Sequence, residues 1–144
     1  MSAASFSPET LGHLFAAFEA KDLETVLTFF ATDAVVIDPH YPVVPMRGKP
    51  AIREGFAWAF RTLERPGFTP RHIWLDGNSG AVEVETYHRL RGGLETKFPQ
   101  VFVFETRNGL IIRLQAYTPY GPHGLQSLFL RLVRLWRRLR RKPI

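Results

Sequence analysis

The sequence predicts an α+β fold: a cone-shaped, curved antiparallel sheet packed against three N-terminal helices, with an extra C-terminal amphipathic helix. Three observations carry this expectation. Apolar residues recur at helical spacing through most of the first 63 residues, two-residue alternation takes over between residues 69 and 117, and hairpin turns separate the later segments. Helices gathered first and strands last place the helices on one face of the sheet.

Each element has a local reason. Ser7-Pro8-Glu9 joins a polar cap to a proline near the first turn, and Leu11, Leu14, Phe15 and Phe18 then follow at helical spacing. Asp22 caps a short second helix whose apolar face is Leu23, Val26, Leu27 and Phe30. Residues 33–38 read as a strand, ended by Pro39, which cannot donate to a ladder. Residues 40–47 form a proline-rich connection. A third helix over residues 51–63 turns Ile52, Phe56, Ala59, Phe60 and Leu63 to one side, and Pro66-Gly67 breaks the chain. Strands follow at 69–76, 81–90, 94–106 and 110–117, joined at Asp76-Gly77-Asn78, Arg91-Gly92-Gly93 and Asn108-Gly109. Val82 and Val84 alternate with Glu83 and Glu85, the pattern of a half-buried antiparallel strand. Pro99 predicts a bulge or an edge within its strand.

The 144 residues suit one body of residues 1–124, closed by Pro119, Gly121, Pro122 and Gly124, and a basic helix in residues 125–144. Charge divides at the same place. The chain carries 19 Lys and Arg against 13 Asp and Glu, a net +6. Arg131, Arg134, Arg137, Arg138, Arg140, Arg141 and Lys142 all follow Gly124, with no acidic residue among them. The body is therefore left with 12 basic and 13 acidic side chains, a net −1. A near-neutral body argues against nucleic acid as a partner. There is no cysteine, hence no disulfide or thiolate chemistry. The first ten residues have neither a basic start nor an apolar run, and arginines interrupt the apolar tail, so neither a signal peptide nor a membrane-spanning helix is expected. The expected location is cytoplasmic, with membrane-peripheral association as an option.

Lys21-Asp22-Leu23, Phe30-Ala31-Thr32-Asp33-Ala34, Asp38-Pro39, and Arg47-Gly48 followed by Ala51-Ile52-Arg53 resemble the nuclear transport factor 2-like superfamily. The nearest likeness is to its SnoaL-like and ketosteroid-isomerase-like branches, over about residues 8 to 120. The resemblance implies a conical pocket. It leaves function open, because the superfamily hosts isomerases, dehydratases, cyclases, epoxide hydrolases and non-catalytic members. It also places Asp38 where the ketosteroid isomerases keep their general-base aspartate. Their oxyanion hole takes a tyrosine from the first helix and a protonated aspartic acid from a late strand. Here those positions match Leu14, which donates nothing, and Gln100, or Val101 if the alignment shifts by one at Pro99.

The residues support a similar list of candidates. If Val36 points into the cone, so does Asp38, by the strand period. Burying a carboxylate among apolar groups disfavours its charged form and strengthens it as a base. Asp38 alternatively orders the following loop through an Asx turn before Pro39. His88 extends the series Val82, Val84, Thr86 and forms an acid/base pair with Asp38 or fills the rim. Gln100 is a neutral oxyanion donor or a buried amide bonded to backbone. His40 and Tyr41 belong at the pocket mouth. Phe56, Phe60, Phe102 and Tyr117 are the expected substrate-binding wall. His72, Trp74 and Tyr87 read as interface or packing residues.

No two histidines pair at metal-ligand spacing, and no phosphate loop or nucleophile elbow is present, so neither a metal nor another cofactor is expected. Leu125, Leu128, Phe129, Leu132, Leu135, Trp136 and Leu139 form a stripe opposite arginines. That stripe packs on the body, on a partner subunit, or on an anionic membrane surface through residues 125–142. The expected function is a small-molecule-binding, homodimeric protein. It acts either as a cofactor-free isomerase, cyclase or dehydratase on a hydrophobic carbonyl compound, with Asp38 as base, or as a non-catalytic module holding a hydrophobic ligand or protein partner.

Overall fold

A computed structural model describes residues 5–119 and 124–140. Helix α1 (Pro8–Glu19) opens with a reciprocal cap: the Thr10 N–H donates to Ser7 Oγ at 3.2 Å and the Ser7 N–H donates to Thr10 Oγ1 at 3.2 Å. Helix α2 (Leu23–Leu27) starts at Asp22, which accepts from the Thr25 N–H and hydroxyl at 3.2 and 2.6 Å. Those two bonds hold the Asp22 carboxyl below its ordinary range, the hydroxyl contributing most. Helix α3 (Lys49–Thr62) carries Ile52, Phe56 and Ala59 on its buried face.

Among the described residues seven strands form one sheet: β1 (Phe30–Ile37), β2 (Met46–Arg47), β3 (Leu63–Arg65), β4 (Phe68–Asp76), β5 (Ser79–Leu90), β6 (Glu95–Arg107) and β7 (Leu110–Tyr117). Their order is β2-β1-β7-β6-β5-β3, with β4 also pairing β5. The sheet curls into a half-barrel around the helices. Two short strands were not expected. Met46 and Arg47 close on Val36 and Val35 because the ladder satisfies their backbone while Met46 is fully buried. Leu63, the last residue of the predicted helix, instead starts an edge strand over residues 63–65 against Leu90 and Arg89. The sheet is also mixed, since β1 runs parallel to β7, with Ile37 beside Gln115.

Asn108 and Gly109 both adopt positive φ, 52° and 75°, as the turn joining β6 to β7 requires. Pro99 produces no bulge: β6 stays in register with β5 through Glu85–Pro99. Its other side is an edge, because pairing with β7 starts at Val101–Tyr117. On β5, Val82, Val84 and Thr86 are buried, and Glu83 and Tyr87 are exposed, as the alternation predicts.

The core lies between the helices and the concave sheet face. Phe18 packs against Phe56 at 5.4 Å, Phe60 at 4.7 Å and Phe68 at 5.5 Å. The Phe68 N–H donates to Glu19 Oε1 at 2.8 Å, tying α1 to β4. Helix α4 (Leu125–Arg140) has no buried residue, so its predicted apolar stripe does not dock on the body. Tyr120, His123, Arg141 and Lys142 lie outside the described residues.

Candidate active site

Between the three N-terminal helices and the sheet lies a cavity of about 400 Å³, a size that suits a small organic ligand. Its wall is largely aromatic and aliphatic: Leu14, Phe15 and Phe18 from α1, Phe56 and Ala59 from α3, and Phe68, Phe98 and Phe102 from the sheet. Asp38, His40, Tyr41, His88 and Gln100 are the polar side chains set into it that matter for chemistry.

Strand β1 explains Asp38. Ala34 and Val36 are buried at alternate positions, and Asp38 continues that face at 9% exposure. Asp38 lines the cavity and also orders the loop that follows it. Its Oδ1 accepts the His40 N–H at 2.9 Å, an Asx turn, and His40 Nδ1 lies 2.7 Å from the same oxygen. Oδ2 takes part in neither bond. The His40 ring stacks on Phe98, centroids 5.1 Å apart at 29°. Tyr41 follows in a backbone turn, its N–H reaching Asp38 O at 3.3 Å. Burial first, and the Asp38 carboxylate second, push the Tyr41 phenol well above its ordinary value, so it stays a neutral hydroxyl.

His88 extends the inward series of β5. Its Nδ1 accepts the Gly67 N–H at 3.2 Å, which puts the neutral ring's hydrogen on Nε2. Gly67 is needed there, since a Cβ would come within 2.5 Å of Tyr87 O. Burial, and then the His40 charge, lower His88 to about 4, with Asp38 opposing. His88 is therefore a neutral N–H donor at pH 7. The unfolded chain binds this proton near pH 6.5 and the folded chain near 4, so stability is complete above 6.5 and is lost as pH falls toward 4. After discounting for partial solvent exposure, the loss is on the order of 1–2 kcal/mol. Urea midpoints at pH 7 and 4.5 should show a smaller drop for His88→Gln than for the parent; equal drops would remove His88 as the cause.

Gln100 is 4% exposed. Its Nε2 donates to Thr86 Oγ1 at 2.6 Å, while its buried Oε1 has no partner. In this orientation the amide nitrogen is held by Thr86 and the oxygen is left for a ligand donor. A buried acceptor without a partner costs about 1–3 kcal/mol, which a ligand hydroxyl or N–H would relieve.

Seven expected residues thus meet at one cavity: Asp38, His40, Tyr41, His88, Gln100, Phe56 and Phe102. Two do not. Phe60 is half-buried against Phe18 on the flank of α3 and is not part of the wall. Tyr117 pairs with Val101 on the outward sheet face and is 51% exposed. Counting by two from Leu114 and Ala116 would have placed it there. Phe68 and Phe98 were missed; Phe98 lies two residues before Gln100 and was legible the same way. Trp58 has no such signal, being two residues from Phe56 on a helix. Its ring, 6.0 Å from that of Tyr41, reaches the cavity by size alone. Among the described residues no three His, Asp or Glu side chains gather to hold a metal ion.

Helices closing a curled sheet over an apolar chamber with a few inward polar groups define the cone class of α+β ligand-binding folds. Residues 11–114 match the SnoaL-like domain, and the chain belongs to that family. Among solved structures it is similar to a Catenulispora acidiphila protein with a ketosteroid isomerase-like fold, in complex with trimethylamine (22% identity, 86% of this chain and 92% of that one, TM-score 0.69). It is also similar to a putative isomerase from Bacillus subtilis (26% identity, 76% and 83%, TM-score 0.67). A third is a Mycobacterium tuberculosis protein in complex with estradiol-17beta-hemisuccinate (20% identity, 81% and 92%, TM-score 0.66). No curated protein matches.

Proposed function

We propose that the cavity binds a hydrophobic carbonyl compound and exchanges a proton at the carbon next to its carbonyl. The reaction class is cofactor-free isomerisation, cyclisation or dehydration. The observation that carries this is Asp38, a carboxylate set into an apolar wall with Oδ1 anchored by His40 and Oδ2 left by those bonds. In this reading Oδ2 takes the α-proton. Charge then develops on the carbonyl oxygen, and the neutral donors available for it are His88 Nε2–H and the Tyr41 hydroxyl. His40 holds the carboxylate's orientation. Gln100 Oε1 selects a substrate that also carries a hydroxyl or N–H. The solved structures with small-molecule ligands support ligand binding by this fold.

The test needs no natural substrate. A panel of apolar hydroxy-ketones is incubated with the protein in D2O, and α-deuteration is followed by NMR. Exchange faster than the protein-free blank supports catalysis. Ketones that bind without faster exchange support the second reading, a binding module, which Leu14 in the wall favours because it supplies no donor there.

The proposal extends to a homodimer through the outward sheet face. There Trp74 pairs with Ala81, Ala81 with Val103, and Val101 with Tyr117, leaving Trp74 49% and Tyr117 51% exposed. Light scattering should give twice the chain mass for the parent and the single mass for Trp74→Glu. A monomeric parent at tens of micromolar, a concentration at which a specific dimer persists, contradicts it.

A further inference from the structure

We propose that α4 is a docking helix for an anionic lipid bilayer. Leu128, Phe129, Leu132, Leu135 and Trp136 share one side of it and are each more than half exposed. At 100° per residue, the half-buried Ser127 and Leu130 fall on the opposite side, with Val133 on the flank between. Five arginines of the described helix, at positions 131, 134, 137, 138 and 140, occupy the remaining surface, and no acidic residue joins them.

The charge decides the occupant. A second copy of this chain would bring a body of net −1, far too little to match an arginine cluster. An anionic bilayer supplies negative charge along the whole length of the helix and takes up the apolar stripe at the same time. The Arg140 guanidinium lies 3.8 Å over the Trp136 ring, at the border of the two faces. Indole and guanidinium side by side suit the headgroup boundary, where one is half-immersed and the other meets phosphate. Among the described residues no helix is long and apolar enough to cross a membrane, so the contact is superficial.

Because β1 and β7 are parallel, with Ile37 beside Gln115, the chain leaves the sheet at Tyr117, at the same end as Asp38 and His40. The seven steps from Tyr117 to Gly124 span at most about 25 Å. Docking of α4 thus keeps the polar end of the cavity near the lipid surface, and the ligand class becomes apolar compounds dissolved in the bilayer.

Co-sedimentation of the full chain tests this with phosphatidylcholine vesicles, with and without phosphatidylserine. The parent should pellet with the anionic vesicles, about tenfold or more over the neutral ones, and less as salt rises. Phe129→Glu with Leu132→Glu, and separately Arg131→Gln with Arg134→Gln and Arg138→Gln, should each reduce pelleting about tenfold or more. An unchanged thermal transition verifies that the body is intact. Equal pelleting with both vesicles, none with either, or full pelleting by the variants overturns the proposal. So does an oligomer that dissociates on Phe129→Glu with Leu132→Glu, since a second copy would then cover the stripe. The ligand clause rests on the proposed function: a ketone supplied in anionic vesicles should exchange more slowly with the stripe variant than with the parent, and a ketone in solution equally. Pelleting does not involve the cavity, so the two readings fail separately.

Discussion

Phe104→Ala destabilises the protein by about 3–5 kcal/mol, the range for deleting a fully buried aromatic ring. Phe104 is 1% exposed and packs with Leu11, Phe15, Val82, Val84 and Phe102. Phe6 caps it from the N-terminal segment, ring centroids 5.0 Å apart. Its strand is paired on both sides, to Gly80 on β5 and Leu114 on β7. The ring reaches over Gly80, where a Cβ would stand 2.7 Å from it. Ladders on both flanks keep the backbone from closing into the void, so the cavity term adds to the lost transfer energy. The melting temperature should fall by about 10 °C or more. A urea or thermal scan measures this, and a loss under about 1 kcal/mol would mean that Phe6 and the neighbouring strands fill the gap.

Local chemistry made most of the fold legible. Ser7 and Asp22 cap the helices expected of them, and the alternation of β5 and β6 sorts buried from exposed residues. The parallel contact of β1 with β7 has no local sign, because it joins segments some 80 residues apart, and only the closed sheet selects it. Strand β2 is hidden for a similar reason: two residues in a proline-rich stretch become a strand only when Val35 and Val36 offer a ladder. At the site, the two-residue period carries Asp38 from Val36 and His88 from Val84 and Thr86. Phe60 misled because the apolar face of α3 is wider than the cavity it borders, and the surplus packs on Phe18. The stripe of α4 was legible as a pattern, but helical spacing says nothing of what covers it.

Asp38→Asn should lower α-proton exchange by about 10²–10⁴-fold, the usual contribution of a positioned general base. The substitution is nearly isosteric, and an asparagine Oδ1 still accepts the His40 N–H that closes the Asx turn. The cavity wall is untouched, so ketone binding should stay within about threefold, well under 1 kcal/mol. This separates chemistry from recognition. A loss of binding equal to the loss of rate would instead make Asp38 an element of the loop's shape, the structural role that its bond to His40 also allows.

The most direct test of Asp38 as the base takes one bound hydroxy-ketone at saturation in D2O and compares, by NMR, its rate of α-deuteration on the parent protein and on Asp38→Asn. If Asp38 is the base, exchange runs well above the blank on the parent and within an order of magnitude of the blank on the variant, with equal occupancy. Equal exchange on both proteins would contradict it and leave the cavity a binding chamber without a base.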